Sequence, residues 1–69
     1  MTDSKALREW INSRGYKLRF IAGKLNITPY SLQKKIDNET EFKASEIAIF
    51  SHDLGMPNSI RDKIFLRRK

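Results

Sequence analysis

Apolar residues recur along this chain at intervals of three and four, with no sustained alternation of period two, a spacing that predicts helices throughout and no strand. The first helix is expected from about Ser4 to Arg14. Leu7, Trp10 and Ile11 form its inner stripe, Asp3 or Ser4 caps its start, and Gly15 can take the left-handed conformation that ends it. The second covers roughly Lys17 to Leu25, where Ile21 and Leu25 share a face and Ala22 and Gly23 allow close approach; Asn26, tolerant of positive φ, stops it. The third opens at Thr28-Pro29, a capping hydroxyl followed by the residue suited to the first helical position, turns Leu32 and Ile36 inward, and closes at Asp37-Asn38. Phe42 then reads as a core plug ahead of a fourth helix from about Ala44 to Leu54, with Ile47, Phe50 and Leu54 inside and Gly55 at its end. Lys43 stands three residues before Glu46 where a capping hydroxyl is expected, so only half a capping box is present and this start is expected to fray. A short fifth helix from about Ser59 to Leu66 offers Ile60, Ile64 and Phe65.

Length confines these elements to one all-α domain, residues 1–66, followed by a basic tail, 67–69. Below roughly 70–80 residues a single core rarely supplies more than about 3–5 kcal/mol, so stability is expected to be modest or shared with a partner subunit. The chain has no cysteine to form a disulfide or a thiolate metal site. The opening Met1-Thr2-Asp3-Ser4-Lys5 lacks the order of a signal peptide, and the longest aliphatic or aromatic run is only Ile47-Ala48-Ile49-Phe50. A cytoplasmic protein with no membrane span is the expectation. Net charge is +6, which makes a polyanion the first partner to consider. The charge is unevenly spread: residues 1–36 carry a net +6, residues 37–62 a net −4 and residues 63–69 a net +4. A basic front and an acidic middle imply that one face meets the polyanion.

The stretch Leu18 to Ile36 has the form of two short helices joined by a tight turn, the arrangement that lets a protein insert one helix into the DNA major groove. Ala22 is the small residue at the crossing, Ile21, Leu25, Ile27 and Leu32 lock the angle, and Asn26 supplies the turn. Through Ile21-Ala22-Gly23-Lys24-Leu25-Asn26-Ile27-Thr28 and Leu32-Gln33-Lys34-Lys35-Ile36 the sequence resembles the helix-turn-helix family of phage Cro proteins and lysogeny repressors. Phe42, Ser45-Glu46-Ile47, Leu54-Gly55-Met56 and Ile64-Phe65 extend the likeness over nearly the whole chain. The resemblance implies a compact five-helix bundle with its helix-turn-helix at about 17–36, operator binding through the helix at about 29–36, and often dimers on pseudo-palindromic sites. Asn26 and Asn38 replace glycines usual in the family, and Lys17 and Leu18 replace a capping hydroxyl and a phosphate-touching glutamine; Arg19 can stand in for the missing clamp.

Helical geometry leaves Pro29, Tyr30, Gln33 and Lys34 facing outward as base-contact candidates. Gln33 can pair with an adenine edge, Lys34 with guanine or phosphate, and Tyr30 with a sugar-phosphate or a thymine methyl. Arg19, Lys24, the backbone amide of Thr28, Lys35 and Asn38 are the candidates for phosphate contact. Exposed Gln and Lys on a helix are ordinarily just solvated, and Tyr30 has an alternative packing role against Asp37 to Thr40. Ile60, Ile64, Phe65 and Leu66 carry more apolar surface than a short terminal helix needs, which suits a homodimer or another protein partner. Trp10, Phe42 and Phe50 read as core, while Phe20 and Phe65 fit either core or surface. His52 alone, the loop carboxylates Glu39 and Glu41, and the lack of a glycine-rich phosphate loop speak against an enzyme, a metal site, a cofactor or a small-molecule substrate. Two functions follow as expectations. One is a Cro-like regulator of phage or prophage promoters acting on a double-stranded DNA operator. The other is an antirepressor or co-repressor that engages a phage repressor through its groove-reading face or its apolar fifth helix, with the acidic segment 37–62 able to meet that partner's basic surface.

Overall fold

Asp3 opens the first helix: its carboxylate accepts the Ala6 N–H at 3.1 Å, and α1 (Ser4–Arg14) follows. Gly15, at φ +73°, ends it, donating to the Asn12 carbonyl while the Tyr16 N–H reaches back to Ile11. The computed structural model describes residues 1–66 and continues with α2 (Leu18–Leu25), α3 (Pro29–Ile36), α4 (Ala44–His52) and α5 (Asn58–Phe65). Among the described residues there is no strand, and the fold is an all-α five-helix bundle. The tail 67–69 lies outside the described residues.

The same left-handed closure recurs twice without glycine. Asn26 (φ +59°) ends α2, with its own N–H on Gly23 and the Ile27 N–H on Ala22; Asn38 (φ +66°) follows α3, with N–H groups of Asn38 and Glu39 on Lys35 and Lys34. Asparagine tolerates this region better than other residues with a side chain. Asn38 has a second role. Its Oδ1 accepts the Thr2 N–H at 2.9 Å, and its Nδ2 donates to the Thr2 carbonyl at 2.8 Å and to Ser4 Oγ at 3.0 Å. The Ser4 hydroxyl in turn donates to the Ile36 carbonyl, and the Asp3 N–H donates to Ile64, so the segment before α1 is fastened between the ends of α3 and α5.

Four helix ends differ from the spacing, the first being the start of α2, which begins at Leu18 with Lys17 as its N-cap. The fourth helix stops at His52 rather than Leu54, because the Asp53 and Leu54 N–H groups both converge on the Ile49 carbonyl and close the last turn. Gly55 (φ +76°) then redirects the chain, with the Met56 N–H on Phe50. The fifth helix runs one residue earlier than expected at each end, starting directly after Pro57. At the start of α4 the Lys43 N–H donates to Glu46 Oε1 at 2.8 Å, which is the available half of the capping box; an ammonium has no lone pair with which to complete it.

Leu7, Ile21, Leu32, Ile36 and Phe50 are fully enclosed at the centre. Phe50 is ringed by Trp10, Phe42 and Phe65, with centroids 6.1, 5.8 and 5.2 Å away. The partner-surface expectation for the fifth helix therefore fails at two positions: Ile64 and Phe65 are buried core residues, because the short helix must plug the end of a bundle with little other apolar volume. Ile60 is half-buried against that core, and Leu66 is 50 % exposed.

Candidate functional site

α2 and α3 pack directly on one another and meet through the turn Asn26-Ile27-Thr28. Ile21, Ala22 and Leu25 from one and Leu32 and Ile36 from the other are buried, which fixes the angle and leaves the opposite side of α3 to solvent. Thr28 caps that helix: its Oγ1 accepts the Ser31 N–H at 3.0 Å and donates to Ser31 Oγ at 3.0 Å. Pro29 occupies the first turn, where its missing N–H costs nothing.

Four residues expected on the outer face of α3 come together there. Pro29 and Gln33 are exposed, Tyr30 is 73 % exposed, and Lys34, half-buried by its stem, holds Nζ 5.6 Å above the Tyr30 ring. On α2, Arg19 and Lys24 are exposed, and Lys24 Nζ lies 5.7 Å from the centroid of Phe20. No Asp or Glu occurs between Glu9 and Asp37. Lys17, Arg19, Lys24 and Lys34 accordingly form no ion pair among the described residues. Their charge is uncompensated, with Tyr30 and Gln33 on the same pair of helices.

Two expected phosphate contacts are corrected. Lys35 is only 9 % exposed, and its ammonium is engaged 3.2 Å from Glu46 Oε1 and 3.0 Å from the Glu41 carbonyl. The signal was present in the spacing, since Lys35 falls three residues after Leu32 and next to Ile36, on the inward side of the helix. Asn38 is surface-exposed, but both Nδ2 hydrogens are committed to Thr2 and Ser4, which leaves no side-chain donor for a phosphate. Thr28 has its hydroxyl committed to Ser31, so only its backbone N–H is available to an anion.

Phe20 was ambiguous in the sequence and is 47 % exposed, stacked on Tyr16 with centroids 5.5 Å apart and planes at 25°. Tyr16 is anchored beneath it by a hydrogen bond from its hydroxyl to the Leu54 carbonyl at 3.1 Å. The signal for a surface Phe20 was its place next to Ile21, one step off the buried stripe, with Lys24 one turn on. His52 is exposed, Glu39 and Glu41 are exposed loop residues, and no cluster of three or more metal-binding side chains occurs among the described residues. None of the helices is long and apolar enough to cross a membrane among the described residues. Comparison with family models, with curated proteins and with solved structures finds no match to this chain.

Proposed function

We propose that the protein is a helix-turn-helix DNA-binding transcriptional regulator of the Cro type, with α2 and α3 as the motif and α3 as the helix presented to the major groove. The observation that carries this reading is the exposure of Pro29, Tyr30 and Gln33 on α3 beside Lys34, on a helix pair whose exposed Lys17, Arg19 and Lys24, like Lys34, form no ion pair among the described residues. Gln33 reads an adenine edge by donating to N7 and accepting from the exocyclic amine, Lys34 reaches guanine or phosphate, and Tyr30 contacts backbone or a thymine methyl. Arg19, Lys24 and the Thr28 N–H hold the phosphates that set register. A basic, polar face without carboxylates suits a groove, because its cations neutralise phosphates that a carboxylate would repel.

The test is selection from a random duplex-DNA pool with purified protein at near-physiological salt. Recovery of a short motif supports the reading, and two inverted half-sites about 10 base pairs apart would assign a homodimer on its operator. Recovery of no motif, with binding indifferent to sequence, overturns it.

A second reading has one observation in its favour: the carboxylates of Glu39 and Glu41, in the loop beyond α3, are exposed and form no ion pair among the described residues. Such a loop suits an antirepressor that engages the basic surface of a phage repressor. Reversing both charges would then weaken that complex, and unchanged affinity would remove this reading.

A further inference from the structure

Lys35 stands apart from the other cations of α2 and α3. Its Nζ reaches Glu46 Oε1 at 3.2 Å and the Glu41 carbonyl at 3.0 Å, and it lies 6.0 Å from the centroid of Phe42. Glu46, 5 % exposed, also accepts the Lys43 N–H at 2.8 Å. One ammonium thus joins the last turn of α3 to the 37–43 loop and to the first turn of α4. α3 packs against α2 and α1, and its backbone makes no close approach to that of α4, so the two are linked through side chains. The ion pair is the directional part of that link, beside the apolar core to which Ile36 and Phe50 both belong. Stability is a weak reason for such a pair, since buried ion pairs exchanged for apolar groups of similar shape are often neutral or stabilising. A directional pair supplies instead a fixed distance and angle, which an apolar contact leaves loose.

We infer that Lys35 is a positioning residue which, with Glu46 and the Glu41 carbonyl, holds the outer face of α3 at one orientation to α4 and adds no charge to the contact with a bound polyanion. Its effect on binding rests on the DNA-binding reading above, whereas the geometry it enforces does not. Two neighbouring lysines then have opposite roles: Lys34 turns outward over Tyr30, and Lys35 turns inward to brace the helix.

The experiment pairs Lys35→Met with Glu46→Gln. Methionine preserves the length of the stem, glutamine still accepts the Lys43 N–H, and neither buried charge is left alone. Because the chain has no cysteine, Gln33→Cys and Ser45→Cys allow one spin label on α3 and one on α4. A single narrow distance distribution is expected with the ion pair intact, and a broadened or shifted one without it, at unchanged helical circular dichroism. An unchanged distribution overturns the inference, with no DNA involved. Should the double variant fail to fold, Lys35→Arg keeps a cation beside Glu46 but changes the length and shape of the arm; a shifted label distance is expected at unchanged helical circular dichroism, and an unchanged one would again overturn the inference. On unlabelled protein and a selected duplex, the double variant is expected to lose about tenfold in affinity with its salt slope unchanged. By contrast Lys34→Ala should reduce that slope by about 1. A reduced slope for the Lys35 variant would make it a phosphate contact and overturn the positioning role. If the native protein selects no duplex, the DNA-binding reading fails while the label distances still decide this one.

Discussion

At Asn38 a single side chain meets two demands that glycine would meet only in part. The backbone sits at φ +66°, where glycine is more at ease, and the amide group pairs with both backbone polar groups of Thr2. Net worth per hydrogen bond is about 0.5–1.5 kcal/mol, so Asn38→Gly is expected to destabilise the protein by about 1–2 kcal/mol despite its easier backbone. Urea denaturation measures this, and a gain in stability would show that backbone strain outweighs the clip. Lys35 poses the opposite case. Truncating it leaves the Glu46 carboxylate buried without its cation, and breaking a buried pair on one side costs about 3–5 kcal/mol. Lys35→Ala is therefore expected to populate unfolded chain at room temperature, visible as lost ellipticity at 222 nm, while Lys34→Ala stays folded. The inward position of Lys35 was legible in the 32, 35, 36 spacing, but its residue type pointed to the surface, and only the placement of Glu46 across the loop decides between them.

The elements follow their sequence signals closely because each signal is local. Asp3 and Thr28 cap with the side-chain oxygens expected of them, and Gly15, Asn26 and Asn38 each adopt positive φ at the helix ends where they stand. Helical period overruns the end of the fourth helix because the Leu54 side chain keeps the inward direction, being 2 % exposed, while its N–H has already left the helical ladder for Ile49. Periodicity reports side-chain direction and is blind to that change of acceptor. Lys43 offers a direct check on capping. Lys43→Ser would complete the box with Glu46 and is expected to raise stability by about 0.5–1 kcal/mol, read as a higher thermal midpoint. On α3, under the DNA-binding reading, Gln33→Ala is expected to relax preference at one base position of a selected motif, whereas Arg19→Ala should weaken all sequences alike. Equal and sequence-blind losses from both would defeat the assignment of Gln33 to a base.

For the molecule as a whole, a core this small leaves little in reserve. Phe50 is fully buried at the meeting point of four rings, and Phe→Ala truncations cost about 3–5 kcal/mol, about as much as a core of this size supplies. Phe50→Ala is expected to be unfolded in buffer at 25 °C by circular dichroism, while a cooperative thermal transition in that variant would mean that the fold draws on more than this cluster. The charge distribution makes a second whole-molecule prediction. If Lys17, Arg19, Lys24 and Lys34 all meet phosphates, log affinity should fall with log salt at a slope of about −3 to −4. A slope near zero would dissociate these cations from binding.

The sequence by itself determined the five helices, the residues that close the first three, the central apolar stripes and the outer face of α3, because caps, turns and helical period act within a few residues of one another. The tertiary structure alone decided which polar and apolar groups are spoken for. It turned Ile64 and Phe65 into core, tied Asn38 to Thr2 across 36 positions of chain, and buried Lys35 against Glu46. Those outcomes depend on partners brought together by packing, and no local pattern in the chain encodes which partner a side chain will meet.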